Sequence, residues 1–375
     1  MTVPTTSASH AGSVSVPDPG LLEKYGELFL RHPALDRALA EVERGIAPEM
    51  PPQIVLLPGP TGVGKTTMVD ALVRPSCYLS APAVKVTCPP VLGRRGYDFG
   101  RMHWRLIAKA LRDRFPDDHV SPDEAARRLR AGSGRRDGVP TLDEYRLGVL
   151  EMVRACGPRA VVLDEAQHMT RVPSARTQGD QFDVIKDCVD RTGVTHVLVG
   201  THEMSVMEAA SEQVGRRALV VHFAPYASPN DEHFQRIFGE FVAGLPFAEP
   251  KRSWLELSSH IPDVFLGCVG CVGILKEWLG RALRRVLESG GDRLNWPIMD
   301  ETCLSAEALT AIAEAIRAYR ESERPDRTEI ARILGVGSGL PERPSQSRSS
   351  SRRKPGKRSP ARDPVGVPSE PKVSA

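Results

Sequence analysis

The chain has 375 residues, enough for one large domain or two ordinary ones with a real core. Hydrophobic residues make up 41% and charged residues 26%, the balance of a soluble globular protein. No run approaches the ~18 apolar residues of a bilayer span, the N-terminus lacks the basic and apolar segments of a signal peptide, and seven cysteines, an odd number, argue against a disulfide framework. A reducing cytoplasm and no membrane partner are therefore expected. The net charge of +3 is uneven: nine Lys/Arg against three Asp/Glu lie from Glu342 onward, so the preceding part of the chain is at −3.

Residues 1–20 read as a flexible leader. QIVLL (53–57) is a buried-strand run, followed by a glycine-rich turn and a helical stretch. AVKVTC (83–88) is a second strand, and MHWRLIAKALRDRF (102–115) has helical periodicity. AVVLD (160–164), THVLVG (195–200) and ALVVHF (218–223) are the third, fourth and fifth strands, with helical stretches between them. Strands alternating with helices predict an α/β fold: a parallel five-stranded sheet with helices on both faces. After Ala227 the strand signals stop, and three helical segments predict a small helical domain. The expected division is a leader (1–20), an α/β domain (21–226), a helical domain (227–325) and a tail (326–375). That tail is rich in Ser, Pro and Arg, lacks aromatic residues and is expected to be disordered. It suits either loose contact with nucleic-acid phosphates or a solubilising role.

GPTGVGKTT (59–67) matches G-x-x-x-x-G-K-[ST] between a strand and a helix, the context the motif requires. Gly59, Gly62 and Gly64 let the backbone curl so that its N–H groups face phosphate oxygens, and the helix N-terminus adds its dipole. Gly59, Pro60, Thr61, Gly62, Val63, Gly64, Lys65, Thr66 and Thr67 are thus the expected ATP phosphate site. Lys65 reaches the β- and γ-phosphates and Thr66 holds Mg²⁺. In RAVVLDEAQHM (159–169), Asp164 ends a strand where α/β sheets bind ligands and is expected to hold Mg²⁺ through its water shell. Glu165, next along, suits orienting and deprotonating a water. His168 reads as a surface residue or a support behind the site.

The fourth strand ends in VGTHE (199–203), where Thr201, or His202 beside it, meets the γ-phosphate or the lytic water, or simply caps the strand. EQVGRR precedes the fifth strand. In ring-forming ATPases an arginine here reaches the neighbour's nucleotide, so Arg216 and Arg217 are candidates, Arg217 first. The alternative is a solvated pair at a helix C-terminus. Cys268 and Cys271 form a C-x-x-C with no second ligand pair at zinc spacing, and they read as small buried residues at the start of a helix.

These parts together resemble AAA+ ATPases. Narrower still, RHPALDRALAEVERGI (31–46), GPTGVGKTT, VVLDEAQHM, VLVGTHEM, HFAPYASPNDEHFQRIFGEFVAGLPF (222–247) and GCVGILKEWLGRAL (270–283), in that order, are similar to the TniB/TnsC family of transposition regulators over about residues 20–320. The resemblance implies an AAA+ P-loop NTPase whose helical domain is a lid, with Lys276 a basic sensor turned towards the γ-phosphate. It implies a bacterial, cytoplasmic, Mg²⁺-dependent ATPase that assembles with itself into rings or filaments on double-stranded DNA. It would link a TniQ-type targeting protein to a DDE transposase of TnsB/TniA type. DNA-facing candidates follow from GRRGYDFGRMHWRLIAKALRDRF (93–115), with seven Lys/Arg against two Asp: Arg94, Arg95, Arg101 and Arg105. RRLRAGSGRRDG (127–138), with Arg135 and Arg136, is a second basic segment or an exposed linker. Two other readings remain: a helicase-loader or ExeA-type ATPase that remodels a protein, and a nucleotide switch of negligible turnover.

Overall fold

The computed structural model describes residues 19–74, 82–90, 97, 99, 102–116, 121–132, 140–171, 175–204, 218–322 and 327–335. The chain divides into a unit ending at Arg324 and a second unit from Pro325.

In the first unit, α1 (Pro19–Gly26) and α2 (Pro33–Gly45) precede β1 (Ile54–Pro58). The P-loop leads into α3 (Lys65–Val73), then β2 (Val84–Thr87), α4 (Met102–Arg114), α5 (Pro122–Gly132) and α6 (Leu142–Cys156). β3 (Ala160–Asp164), α7 (Ala175–Thr192), β4 (Thr195–Gly200) and β5 (Ala218–Val220) complete the sheet. The strand order is β2-β3-β4-β1-β5, and every pairing is parallel. Alternation along each strand explains why both faces are buried. Leu56, Leu163 and Leu198 point into one apolar layer with Trp104, Ile107 and Met152. Val55, Val162 and Val197 point into the other, against Leu39, Met68 and Leu72. A parallel sheet so covered has its loops at the carboxyl ends of the strands, and the P-loop, Asp164 and Gly200 all lie there.

Six helices follow the sheet: α8 (Glu232–Ala243), α9 (Pro250–Leu257), α10 (Ile261–Cys268), α11 (Val272–Glu288), α12 (Trp296–Glu301) and α13 (Ala306–Ser322). Phe234, Phe238, Phe241, Leu275, Trp278 and Leu279 make their core, which also holds Cys268 and Cys271, both fully buried. Asp231 caps α8 by accepting from the N–H groups of His233 and Phe234, satisfying donors that the first turn leaves unpaired. Trp278 fits because Gly267 has no Cβ (one there would stand 2.5 Å from the indole), and its Nε1 donates to Met299 O at 2.8 Å.

The second unit contains α14 (Arg327–Ile333). The tail expected to be without structure from residue 326 therefore contains a helix. Ile330, Ile333 and Leu334, at i, i+3 and i+4, supply the periodicity that the serine- and arginine-rich composition obscures. The rest of the tail, from 336, lies outside the described residues, as does the leader to residue 18.

Candidate nucleotide site

The loop from β1 to α3 is fastened at its base, where Gly59 N donates to Gly200 O at 3.1 Å. Gly62 (φ 79°) and Gly64 (φ 110°) take left-handed backbone that a side chain would strain, and Gly64 caps α3. Lys65 Nζ donates to Gly59 O (2.9 Å) and Pro60 O (2.8 Å), so the ammonium bridges the loop's own carbonyls. Burial lowers its pKa to about 8, opposed by the nearby Glu165 and Asp164 carboxylates. The lysine and the acidic pair, a hundred residues apart in sequence, thus share one site. Thr61, Thr66 and Thr67 are exposed at its mouth, and Val63 is buried beneath it.

Asp164 is 3% exposed at the tip of β3. Burial raises its pKa, opposed by Lys85, whose Nζ is 3.5 Å from Oδ2 and also pairs with Asp70 of α3. Asp164 Oδ1 accepts from Glu165 N at 3.0 Å. Glu165 itself has a positive φ of 57°, uncommon for a residue with a side chain, and it turns the chain sharply out of β3. Gln167, two residues on, donates from Nε2 to Glu165 Oε2 (2.5 Å), while its Oε1 accepts from Thr201 N (3.2 Å). The Thr201 hydroxyl at the end of β4 is buried with no hydrogen-bond partner, as is His168 Nδ1. His202 and Glu203 continue into a short 3-10 turn. Sequence reasoning passed over Gln167 and Lys85. Gln167 was legible only as a polar residue near Glu165, and Lys85 as a lone charge in a strand whose period places it on the face of Val162.

The lid reaches the same loop from above. Ile274 N, an orphan donor in the first turn of α11, bonds to Gly62 O at 3.2 Å. A Cβ on Gly273 would stand 2.5 Å from that oxygen, and one on Gly62 would stand 2.3 Å from the Ile274 side chain. Behind the loop, Phe29, His32, Gly64, Thr67, Phe223 and Lys276 line a small cavity. His32 Nδ1 lies 3.1 Å from Tyr226 Oη, and its ring stacks on Phe223. Burial pulls His32 down to about 4, with Asp36 opposing. Lys276 differs from its expected orientation towards the terminal phosphate. Its Nζ donates to Gly26 O of α1 at 2.7 Å, and burial alone shifts its pKa, whereas Lys65 feels both carboxylates. The physical reason is that α1 packs against α11 and offers an unsatisfied C-terminal carbonyl within the lysine's reach.

Residues 49–207 match the AAA domain (AAA_22). This AAA domain match spans the P-loop, Asp164, Glu165 and Thr201 together with β1 to β4. With the parallel sheet order, it gives the chain an AAA+ P-loop fold followed by a helical region. No curated protein matches the chain. Among solved structures, the Walker-type ATPase PABY2304 of Pyrococcus abyssi is 15% identical with a TM-score of 0.47, covering 83% of this chain and 81% of its own. The ORC2 protein of Aeropyrum pernix in its ADP form is 16% identical with a TM-score of 0.47, covering 75% and 71%. Drosophila ORC bound to DNA is 12% identical with a TM-score of 0.41, covering 91% and 84%.

The remaining candidates divide as follows. Arg105 is exposed on α4, whose Trp104 and Ile107 are buried in the core. Arg94, Arg95, Arg101, Arg216 and Arg217, together with Arg135 and Arg136, lie outside the described residues.

Proposed function

We propose that this chain is an ATP-hydrolysing AAA+ regulator of transposition that assembles on duplex DNA. The observation that carries the nucleotide reading is the P-loop opening α3 at the carboxyl edge of the sheet, tied by Gly59 N to Gly200 O, with Asp164 and Glu165 at the tip of β3 on that same edge. The residues fit the cofactors: exposed hydroxyls at Thr66 and Thr67, a buried carboxylate at Asp164, and a partnerless hydroxyl at Thr201. Thr66 and Asp164 would hold Mg²⁺, which would neutralise charge on the phosphates. Lys65 supplies a second positive charge there, and the loop's N–H groups hold phosphate oxygens. Glu165 orients the attacking water and takes its proton. Thr201, with an unused hydroxyl, donates to the γ-phosphate or the lytic water. The aromatic and aliphatic lining of Phe29, His32 and Phe223 suits a purine base. Arg217, or Arg216, serves a neighbouring copy's nucleotide in the oligomer.

The assignment to transposition rests on the resemblance of the chain to TniB/TnsC proteins. In that reading Arg94, Arg95, Arg101 and Arg105 contact phosphates of double-stranded DNA, and the oligomer is a ring or filament. A TniQ-type protein and a TnsB/TniA-type transposase are the partners, in a bacterial cytoplasm on the nucleoid. Electron microscopy with a non-hydrolysable ATP analogue and plain duplex DNA tests it. Nucleotide-dependent rings or filaments on DNA are expected, weakening steeply from low to moderate salt. Particles indifferent to DNA would exclude this reading and favour an ATPase that remodels a protein partner.

A further inference from the structure

We infer that Gln167 is a positioning residue that ties the catalytic carboxylate of Glu165 to the tip of β4. This deepens, and rests on, the ATPase reading above. One planar amide makes both links: Nε2 donates to Glu165 Oε2, and Oε1 accepts from the backbone N–H of Thr201. The two groups it joins are the proposed base and the backbone of the residue at the end of β4 whose buried hydroxyl has no partner.

The surroundings leave the amide little freedom. Gln167 is 5% exposed, and Gly200 leaves it room, since a Cβ on Gly200 would stand 2.5 Å from Gln167 Oε1 and 3.0 Å from Gln167 N. Glu165 is constrained from its other side by its positive φ and by the bond from its N–H to Asp164. Its carboxylate is then oriented by the Gln167 amide through Oε2, which leaves Oε1 available for a water. A shift of the β4 tip that moves the Thr201 N–H therefore moves the same amide that holds Glu165. Misplacing a catalytic group by about 1 Å can cost on the order of 100-fold, so this link is placed to matter for turnover and not for nucleotide affinity.

Two substitutions separate the links in the full-length chain. Gln167→Glu keeps the shape and the acceptor for Thr201 N–H but sets a carboxylate against that of Glu165. Gln167→Met keeps the length and removes both hydrogen bonds. Expected for each is a kcat roughly 10- to 100-fold below wild type, with KM and the affinity for an ATP analogue within about threefold and an unchanged thermal midpoint in the analogue complex. In a Glu165→Gln background, Gln167→Met should lower residual turnover by less than twofold, because its effect runs through Glu165. Unchanged or raised kcat in both single variants overturns the inference while leaving the ATPase reading intact. So does an equal fall in the Glu165→Gln background. A wild-type chain that binds ATP without hydrolysing it overturns the ATPase reading, and the inference with it.

Discussion

The two ends of the P-loop are built by opposite means. The phosphate end is made of two short local signals: nine consecutive residues make the loop, and the acidic pair ends β3, which β4 separates from β1. The cavity behind the loop is assembled from far apart. Phe29 and His32 come from the N-terminal segment, Phe223 from the connection after β5, and Gly273 and Lys276 from the first turns of α11. Polar groups at the phosphate end come with the motif, while those behind it are satisfied by single long-range bonds such as Lys276 to Gly26 and His32 to Tyr226. Damage at the first end should therefore be severe and confined to ligand binding, whereas damage at the second should mix stability with binding.

The largest effect is expected from Lys65→Ala. It removes the ammonium shared by the loop and the acidic pair, and ATP affinity by calorimetry should fall roughly 100-fold, with little change in folding stability. Next is the pH response of the rear cavity. His32 has its pKa lowered to about 4 from an ordinary 6.5, so between those values the unfolded chain binds a proton that the folded chain does not. Stability from this residue is complete above pH 6.5 and is lost as pH falls towards 4, by about 2 kcal/mol between pH 7 and pH 4.5. Urea unfolding of wild type and His32→Gln at both pH values measures it, and equal pH slopes would show that the ring is not held neutral by burial.

Gly273→Ala comes third. Its new methyl meets Gly62 O, so α11 must lift from the P-loop, and nucleotide affinity should weaken about tenfold with roughly 1 kcal/mol of stability lost. If affinity and stability both stayed at wild-type values, the lid would not bear on the loop as described. The smallest effect is expected from Tyr226→Phe, which deletes the hydroxyl facing His32 and should cost about 1 kcal/mol by denaturant titration, with catalysis intact.

Much of the phosphate end could be read in advance because each signal is short-range. The five strands lie where their apolar runs predict them, although β5 stops at Val220 and not Phe223. Cys268 and Cys271 are buried as their context suggests. Gln167 escaped notice because its role depends on β4, thirty-four residues away, whose tip it reaches only after the sheet has formed. The sensor role of Lys276 is implied by the resemblance alone, and its partner in α1 is 250 residues distant. The helix at Arg327–Ile333 was hidden by the composition of the residues that follow it.

What the sequence by itself determined is the alternating sheet, the P-loop and the placing of Asp164 and Glu165 at a strand tip. Those follow from backbone sterics, side-chain periodicity and the dipole of one helix. Tertiary structure alone decided the approach of α11 to Gly62, the cavity between His32, Phe223 and Lys276, and the amide bridge from Thr201 to Glu165. Each of these needs elements remote in sequence to meet within hydrogen-bonding distance. That meeting is settled by the packing of the whole unit and by no local preference.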